Sequence, residues 1–301
     1  MRAKIIINPK CGEGRVREQK DMIARLGQQL GDVDVFSTQY PTHATKLAES
    51  AASEGYECVV AAGGDGTVHE VVNGLVGDQR ATLPLGIIPI GSGNDLAFNL
   101  GISKNPEEAI QRVFTGKSQP LDLGRITDDR GLTRVFHNNL GIGFDAIVVM
   151  RTETISRLHG FPMYLAAVLQ TIFFDFQTPY LEMRFDDEEV NQRALFLYAG
   201  IGSRGGGGFL LTPAASRDDN RIDTCLVNPV GRLTMLYMLT RVMKGTHVTS
   251  SHVTMRQNQQ IVIRSSTPIP VYLDGEMFAY PRDSVRELTI TSLPAAIDVM
   301  V

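Results

Sequence analysis

The chain has 301 residues, 43% hydrophobic and 21% charged, the balance of a globular protein with core enough for two domains. A formal charge of −4 without any Lys/Arg cluster excludes a broad basic footprint for nucleic acid and a polybasic membrane anchor. Cys11, Cys58 and Cys225 are odd in number and widely spaced, which favours a reducing, cytoplasmic setting over a disulfide framework or a zinc site.

The opening run Met1 to Pro9 is too short in apolar residues for a signal peptide and predicts a first strand over residues 4–7. Asn8-Pro9-Lys10-Cys11-Gly12-Glu13-Gly14 reads as a turn-rich loop before a helix from Arg15 to Leu30. A strand over 33–37, a helix over 42–54, a strand over 58–62 and a helix over 67–75 follow. Leu85 to Pro89 is a fourth strand, then come Ile90-Gly91-Ser92-Gly93-Asn94-Asp95, a helix from about Leu96 and a helix over 105–115. The alternation predicts an α/β domain with a doubly wound parallel sheet. Its ligand crevice then lies at the carboxyl ends of the strands, where all three glycine-containing loops fall.

From about Pro120 the period changes to that of strands, at 181–185, 194–199, 223–227, 260–264, 271–274 and 287–291. Helical segments at 163–174 and 233–243 interrupt this mostly β, sandwich-like half. Met235, Met238 and Met243 read as core. The longest apolar stretch, Phe161 to Phe176, is broken by Gln170 and Asp175 and is too short to span a bilayer. Together with the flexible run Gly205 to Gly208 it could line an access route for a lipid, or simply be a loop and a core helix. The expected domains are 1–120 and 121–301, packed closely around a cleft, with residues 293–301 returning to the first.

The densest signal is Cys58-Val-Val-Ala-Ala-Gly63-Gly64-Asp65-Gly66-Thr67-Val68-His69-Glu70. Glycines at a strand-to-helix turn permit positive φ and close backbone approach, and a helix start offers N–H groups to an anion. Asp65 beside a phosphate needs an intervening cation or a hydroxyl, which points to nucleotide plus metal. The competing reading is a hairpin or tight structural turn. The chain has neither a Walker A loop nor a dinucleotide fingerprint after its first strand.

Five ordered motifs resemble the diacylglycerol kinase catalytic domain family, and within it the soluble bacterial lipid kinases. They are Asn8-Pro9 with Gly12 and Gly14, Gly63 to Thr67 with Glu70, Gly91 to Asp95, Gly143-Phe144-Asp145, and Leu273-Asp274-Gly275-Glu276. The first is shared with the more distant inorganic polyphosphate/NAD kinases. The resemblance implies ATP binding by Asn8, Pro9, Lys10, Cys11, Gly12, Thr38, Gly63, Gly64, Asp65, Gly66, Thr67, Val68, His69, Ser92, Gly93 and Asn94. Ser92 stands where the family usually has threonine, and His69 where it usually has asparagine; a polar helix cap is the alternative for His69.

Asp65 and Asp95 are the candidate Mg²⁺ ligands, a helix cap being the other reading of Asp95. By resemblance Asp274 or Glu276 is the base that takes the proton of a lipid hydroxyl, with Asp65 in the same catalytic set; a plain β-turn is the alternative there. Ser216 to Asp223 resembles a second Mg²⁺ loop, with the Asp219 carboxylate and the carbonyls of Ser216 and Arg221 as ligands and Asn220 in place of the usual glycine. Without the resemblance it is a solvated turn.

The function this implies is ATP-dependent phosphorylation of a lipid alcohol, diacylglycerol first, by a cytoplasmic enzyme that meets a membrane surface reversibly; a homodimer is compatible with it. Phosphorylation of a soluble nucleotide such as NAD, or non-catalytic nucleotide-binding regulation, are the alternatives.

Overall fold

In the computed structural model, which describes residues 1–11, 16–77, 80–155, 158, 160–175 and 177–301, the runs Ile5 to Ile7 and Cys58 to Ala62 are wholly buried, as strands covered on both faces must be. The chain divides into two compact units, one made of Met1–Asp122 with Pro294–Val301, the other of Leu123–Leu293.

The first unit runs β1 Arg2–Ile7, α1 Val16–Leu30, β2 Asp32–Ser37, α2 His43–Glu49, β3 Cys58–Gly63, α3 Asp65–Val76, β4 Leu85–Pro89, α4 Asp95–Asn99 and α5 Pro106–Thr115. β5 Ser118–Asp128 begins in this unit and continues into the second. The strand order is β2-β1-β3-β4 with all neighbours parallel. The order reverses between β1 and β3, and at such a switch point the crevice opens outside the strands' carboxyl ends.

α2 stops five residues short of the predicted Glu54. The buried ammonium of Lys4 is the physical reason: it is satisfied by Ser50 Oγ at 3.0 Å and Glu54 Oε2 at 2.7 Å, contacts that hold residues 50–55 in turns. α5 starts as the sequence predicts, since Asn105 Oδ1 accepts the Glu107 N–H at 3.0 Å and Pro106 opens the helix.

The second unit continues with β6 Thr133–Phe136, β7 Asn139–Gly143, α6 Phe144–Thr152, α7 Phe161–Phe174, β8 Tyr180–Phe185, β9 Glu188–Arg193, β10 Phe196–Gly200 and β11 Ile222–Val227. α8 Arg232–Val242, β12 Val253–Asn258, β13 Gln260–Ser265, β14 Val271–Leu273, β15 Glu276–Ala279 and β16 Glu287–Met300 follow, the end of β16 lying in the first unit beside β4. An antiparallel sheet in the order β12-β11-β10-β7-β14-β15 stacks on a layer containing β8, β13 and the start of β16. The core between them interleaves Leu140, Leu197 and Val271 with Met183, Ile263 and Leu288. The other face of the six-stranded sheet is covered by α6, α7 and α8, which is why β7 and β11 are buried along their whole length.

β7, β9, β12, β15 and α6 carry no clear local period, and the sequence alone does not predict them. The Gly205 to Gly208 run forms a closed turn: Gly205 and Phe209 exchange backbone hydrogen bonds of 2.8 and 2.9 Å, with Gly206 and Gly207 at positive φ. Phe161 lies against this turn, and a Cβ on Gly208 would stand 2.9 Å from its ring. Met235 and Met238 are buried, but Met243 is 43% exposed and is not core. Among the described residues no helix is long and apolar enough to cross a membrane.

Candidate active site

The loops at the carboxyl ends of β1, β2, β3 and β4 are bound to one another by backbone. Asn8 N–H donates to the Ala62 carbonyl at 3.1 Å, Thr38 N–H to the Ile7 carbonyl at 2.9 Å and Ile90 N–H to the Gly63 carbonyl at 3.1 Å. Asn8 Oδ1 accepts the Lys10 N–H at 3.0 Å, turning the chain through exposed Pro9 and Lys10 to a half-buried Cys11. Gly12 and Gly14, both named from the sequence, lie outside the described residues.

α3 starts at Asp65, two residues earlier than predicted, so Gly66 and Thr67 belong to its first turn. Neither Gly63, Gly64, Gly91 nor Gly93 has positive φ; close approach is what requires glycine there. A Cβ on Gly63 would stand 2.3 Å from Thr67 Oγ1, and one on Gly91 2.3 Å from Gly64 Cα. The start of α3 has no side-chain cap, and the Thr67 hydroxyl is buried without a partner among the described residues. A glycine-walled hollow at an uncapped helix start is a cradle for an oxyanion.

The carboxylates of α3 reach out to its neighbours. Asp65 Oδ1 accepts the Asp95 N–H at 2.8 Å and so caps α4. Glu70 accepts the N–H groups of Thr42 and Ala44, each at 3.0 Å, and caps α2. Asp95 is buried and is the first residue of α4, not its cap; the cap position belongs to Asn94, in the left-handed region at φ 54°. The Asn94 side chain closes its own loop, accepting from Gly91 N–H at 3.1 Å and donating to Gly91 O at 2.7 Å. Ser92, at the tip of that loop, is exposed. Val68 is buried on the core side of α3. His69 lies one turn inside the helix and its ring faces the Asn73 amide at 3.3 Å, so it is not an end cap. Asp65 Oδ2 borders Gly93, where a Cβ would stand 2.7 Å away. A carboxylate at the rim of a side-chain-free cradle suits a hard divalent cation held between protein and phosphate oxygens.

In the second unit Asp274 and Gly275 form the two-residue turn of the β14–β15 hairpin, with φ of 50° and 92°. The Asp274 carboxylate is wholly buried. Oδ2 accepts the His137 N–H at 3.0 Å, and Oδ1 those of Asn138 and Asn139 at 2.9 and 3.0 Å, while the His137 ring lies 3.5 Å from Oδ2. Glu276, two residues on, is exposed. Tyr164 approaches the same turn, since a Cβ on Gly275 would stand 3.2 Å from its hydroxyl. Asp145, at the start of α6, accepts the Tyr272 hydroxyl at 2.7 Å, and burial pushes its carboxyl up to about 6 although that hydrogen bond pulls it down.

The Ser216 to Asp223 loop is a tight turn: Asp219 Oδ1 accepts the Arg221 N–H at 3.0 Å, Ser216 Oγ bonds Asp218 at 2.6 Å, and Asn220 takes the left-handed φ of 57° that a glycine would otherwise supply. Burial raises Asp223 to about 6, with the Asp219 charge adding to the effect. Among the described residues no three carboxylate, imidazole or thiol groups converge there, so a cation at this loop would rely on the Asp219 carboxylate and on carbonyls such as those of Ser216 and Arg221.

The model of the diacylglycerol kinase catalytic domain matches residues 2–126, and that of the YegS C-terminal NAD kinase beta sandwich-like domain matches residues 138–301. A diacylglycerol kinase of Mycobacterium tuberculosis is 31% identical over 297 residues, covering 98% of this chain and 93% of that protein. The chain belongs to the diacylglycerol kinase family. The fold agrees: a crystal structure of a diacylglycerol kinase from Bacillus anthracis superposes with a TM-score of 0.76 at 22% identity, covering 99% of this chain and 96% of that one. Yeast NADH kinase complexed with NADH shares the fold at a TM-score of 0.54 and 12% identity, over 99% and 78% of the two chains.

Several site-building residues of this family member escape its sequence. Nothing local announces that Glu70 caps α2 or that residues 137–139 hold Asp274. The Asp145–Tyr272 pair joins positions far apart in the chain, and the Gly143-Phe144-Asp145 motif marks only one partner. Cys58 and Cys225 are buried with thiols pushed up to about 12 by desolvation and hold no functional place.

Proposed function

We propose that this chain is an ATP-dependent lipid kinase that transfers the γ-phosphoryl group to the hydroxyl of a lipid alcohol, diacylglycerol the first candidate, giving phosphatidic acid. The reading is supported by family membership together with one observation: a carboxylate, Asp65, at the mouth of a glycine-walled cradle. In the first unit the loops around Asn8, Gly63 and Gly91 bind and orient the polyphosphate of ATP, with α3 N–H groups toward its oxygens. Asp65 and Asp95 would hold a Mg²⁺ ion, and the Asp219 loop a second. Bound Mg²⁺ supplies charge neutralisation on the transferred group.

In the second unit Asp274 serves as base. Three N–H bonds from His137, Asn138 and Asn139 hold its carboxylate in one place. Positional constraint is what general-base catalysis asks for first. Glu276 is the exposed neighbour against which this assignment is tested. The enzyme is cytoplasmic and meets its acceptor at a membrane surface.

Purified protein is incubated with γ-labelled ATP and Mg²⁺, and separately with NAD or mixed micelles of diacylglycerol, monoacylglycerol, a sphingoid base or a polyprenol. Label in a lipid product is expected. Label in NADP alone would place the protein with the nucleotide kinases, and ATP binding without transfer would make it a regulator.

A further inference from the structure

Resting on the lipid-kinase reading, the geometry of the second unit points to where this chain meets a membrane: we propose that the end of α7 and the outer face of α8 form one docking surface for an anionic bilayer. α7 contains no charged residue and turns Ala167, Thr171 and Ile172 into the core, yet its last two residues, Phe173 and Phe174, are 53% and 75% exposed. α8 buries Met235 and Met238 but leaves Leu233 and Tyr237, one turn apart on its outer face, 84% and 61% exposed. Arg232 Nε donates to the Ile172 carbonyl at 3.1 Å and fastens the start of α8 to the end of α7, so the four side chains belong to one region. Single exposed apolar residues are ordinary, whereas four large ones on two joined helix ends form a patch that asks for an occupant.

Charge identifies the occupant. From Thr224 to Leu273 the chain contains no Asp or Glu, in a protein whose net charge is −4. Arg256 and Arg264 of that stretch are paired with Glu188 and Glu287. Arg232, Arg241 and Lys244 make no ion pair among the described residues. Arg241 continues the Leu233–Tyr237 stripe and lies over the Tyr237 ring at 5.9 Å. Aromatic and aliphatic residues rimmed by unpaired cations suit a bilayer whose headgroups are negative, with the apolar side chains at the acyl boundary and the cations at lipid phosphates.

The test is co-sedimentation with phosphatidylglycerol-containing vesicles and with pure phosphatidylcholine vesicles, without nucleotide or acceptor. The wild-type chain is expected to bind the anionic vesicles and to release as salt rises. Phe174→Ser with Leu233→Ser should weaken that binding about tenfold or more, and Lys244→Glu should weaken it on anionic vesicles alone. Both variants change exposed positions, so circular dichroism and thermal unfolding should match wild type. Equal vesicle binding by the double variant overturns the proposal. So does a dimer that the double variant splits, which would make the patch an interface between copies. A short-chain, water-soluble diacylglycerol run in parallel separates the two readings: its phosphorylation should be unchanged in the double variant, whereas its failure as an acceptor counts against the lipid-kinase reading and leaves the vesicle result to decide the patch.

Discussion

The two turns that carry the candidate chemistry are built in opposite ways. In the first unit the Gly63–Gly64 and Gly91–Gly93 loops keep ordinary φ angles and need glycine because the facing loop backbone and the Thr67 and Asp65 side chains leave no room for a Cβ. In the second unit Asp274-Gly275 needs its residue types for conformation, with positive φ at both positions, and its carboxylate is held by N–H groups from residues more than 130 positions earlier. One is a hollow made by removing side chains; the other is a side chain made immobile by backbone. A hollow serves a ligand that brings its own charge and metal, and a fixed carboxylate serves a proton that must leave in one direction.

The largest expected effect is at Asp274. Asp274→Asn puts an amide where three N–H donors converge, so transfer should fall by about a hundredfold or more and stability by roughly 2–4 kcal/mol. Activity on lipid micelles and urea denaturation read the two effects. Glu276→Gln, at an exposed position, should leave stability within about 0.5 kcal/mol of wild type. Turnover lost in Glu276→Gln but kept in Asp274→Asn would reverse the assignment of the base.

Next comes the hollow. Gly91→Ala would force a Cβ against Gly64 Cα and should cost about 1–3 kcal/mol while abolishing ATP binding, as read by denaturation and nucleotide titration. Asp65 separates its two roles by substitution: Asp65→Ala loses the α4 cap, worth about 1 kcal/mol, and also turnover. Asp65→Asn keeps an oxygen for the Asp95 N–H and should lose mainly turnover and magnesium dependence. Full magnesium-dependent activity in Asp65→Asn would show that its carboxylate is only a cap.

That dual role explains what could be read in advance. The first unit was legible because each strand, loop and helix is contiguous in sequence, and the glycines of the Gly63 and Gly91 loops record steric demand at their own positions. Even there, Asp65 and Glu70 look alike as motif residues, and only the fold reveals that they cap α4 and α2. The early end of α2 was hidden for the same reason, since it depends on Lys4, a residue of β1 whose buried charge draws in Ser50 and Glu54. In the second unit the strands with clean alternation, such as Tyr180–Phe185, announced themselves. β7 did not: it is buried on both faces and rich in Asn and Gly, yet it supplies, through Asn139, one of the backbone donors that hold Asp274. Motif spacing marked the Asp274 hairpin, but its partners belong to long-range pairing.

The smallest expected effect concerns Asp145, whose carboxyl is raised by burial from an ordinary 3.8 to about 6. The fold therefore favours its neutral form; the associated stability is fully present below about 3.8 and is lost as pH rises through about 6. Asp145→Asn, neutral at every pH, should flatten this loss, narrowing the pH 4 to pH 7 stability difference by roughly 1–3 kcal/mol in denaturant titrations. An unchanged pH profile would mean that the Asp145–Tyr272 pair is solvated in solution.

The measurement closest to the centre of the account is a paired one on Asp274→Asn: affinity for MgATP, and phosphoryl transfer to diacylglycerol micelles. A hollow that serves the donor and a fixed carboxylate that serves the acceptor predict nucleotide affinity near that of wild type with transfer abolished. Normal transfer by this variant, or loss of ATP binding in a folded protein, would contradict that division of labour.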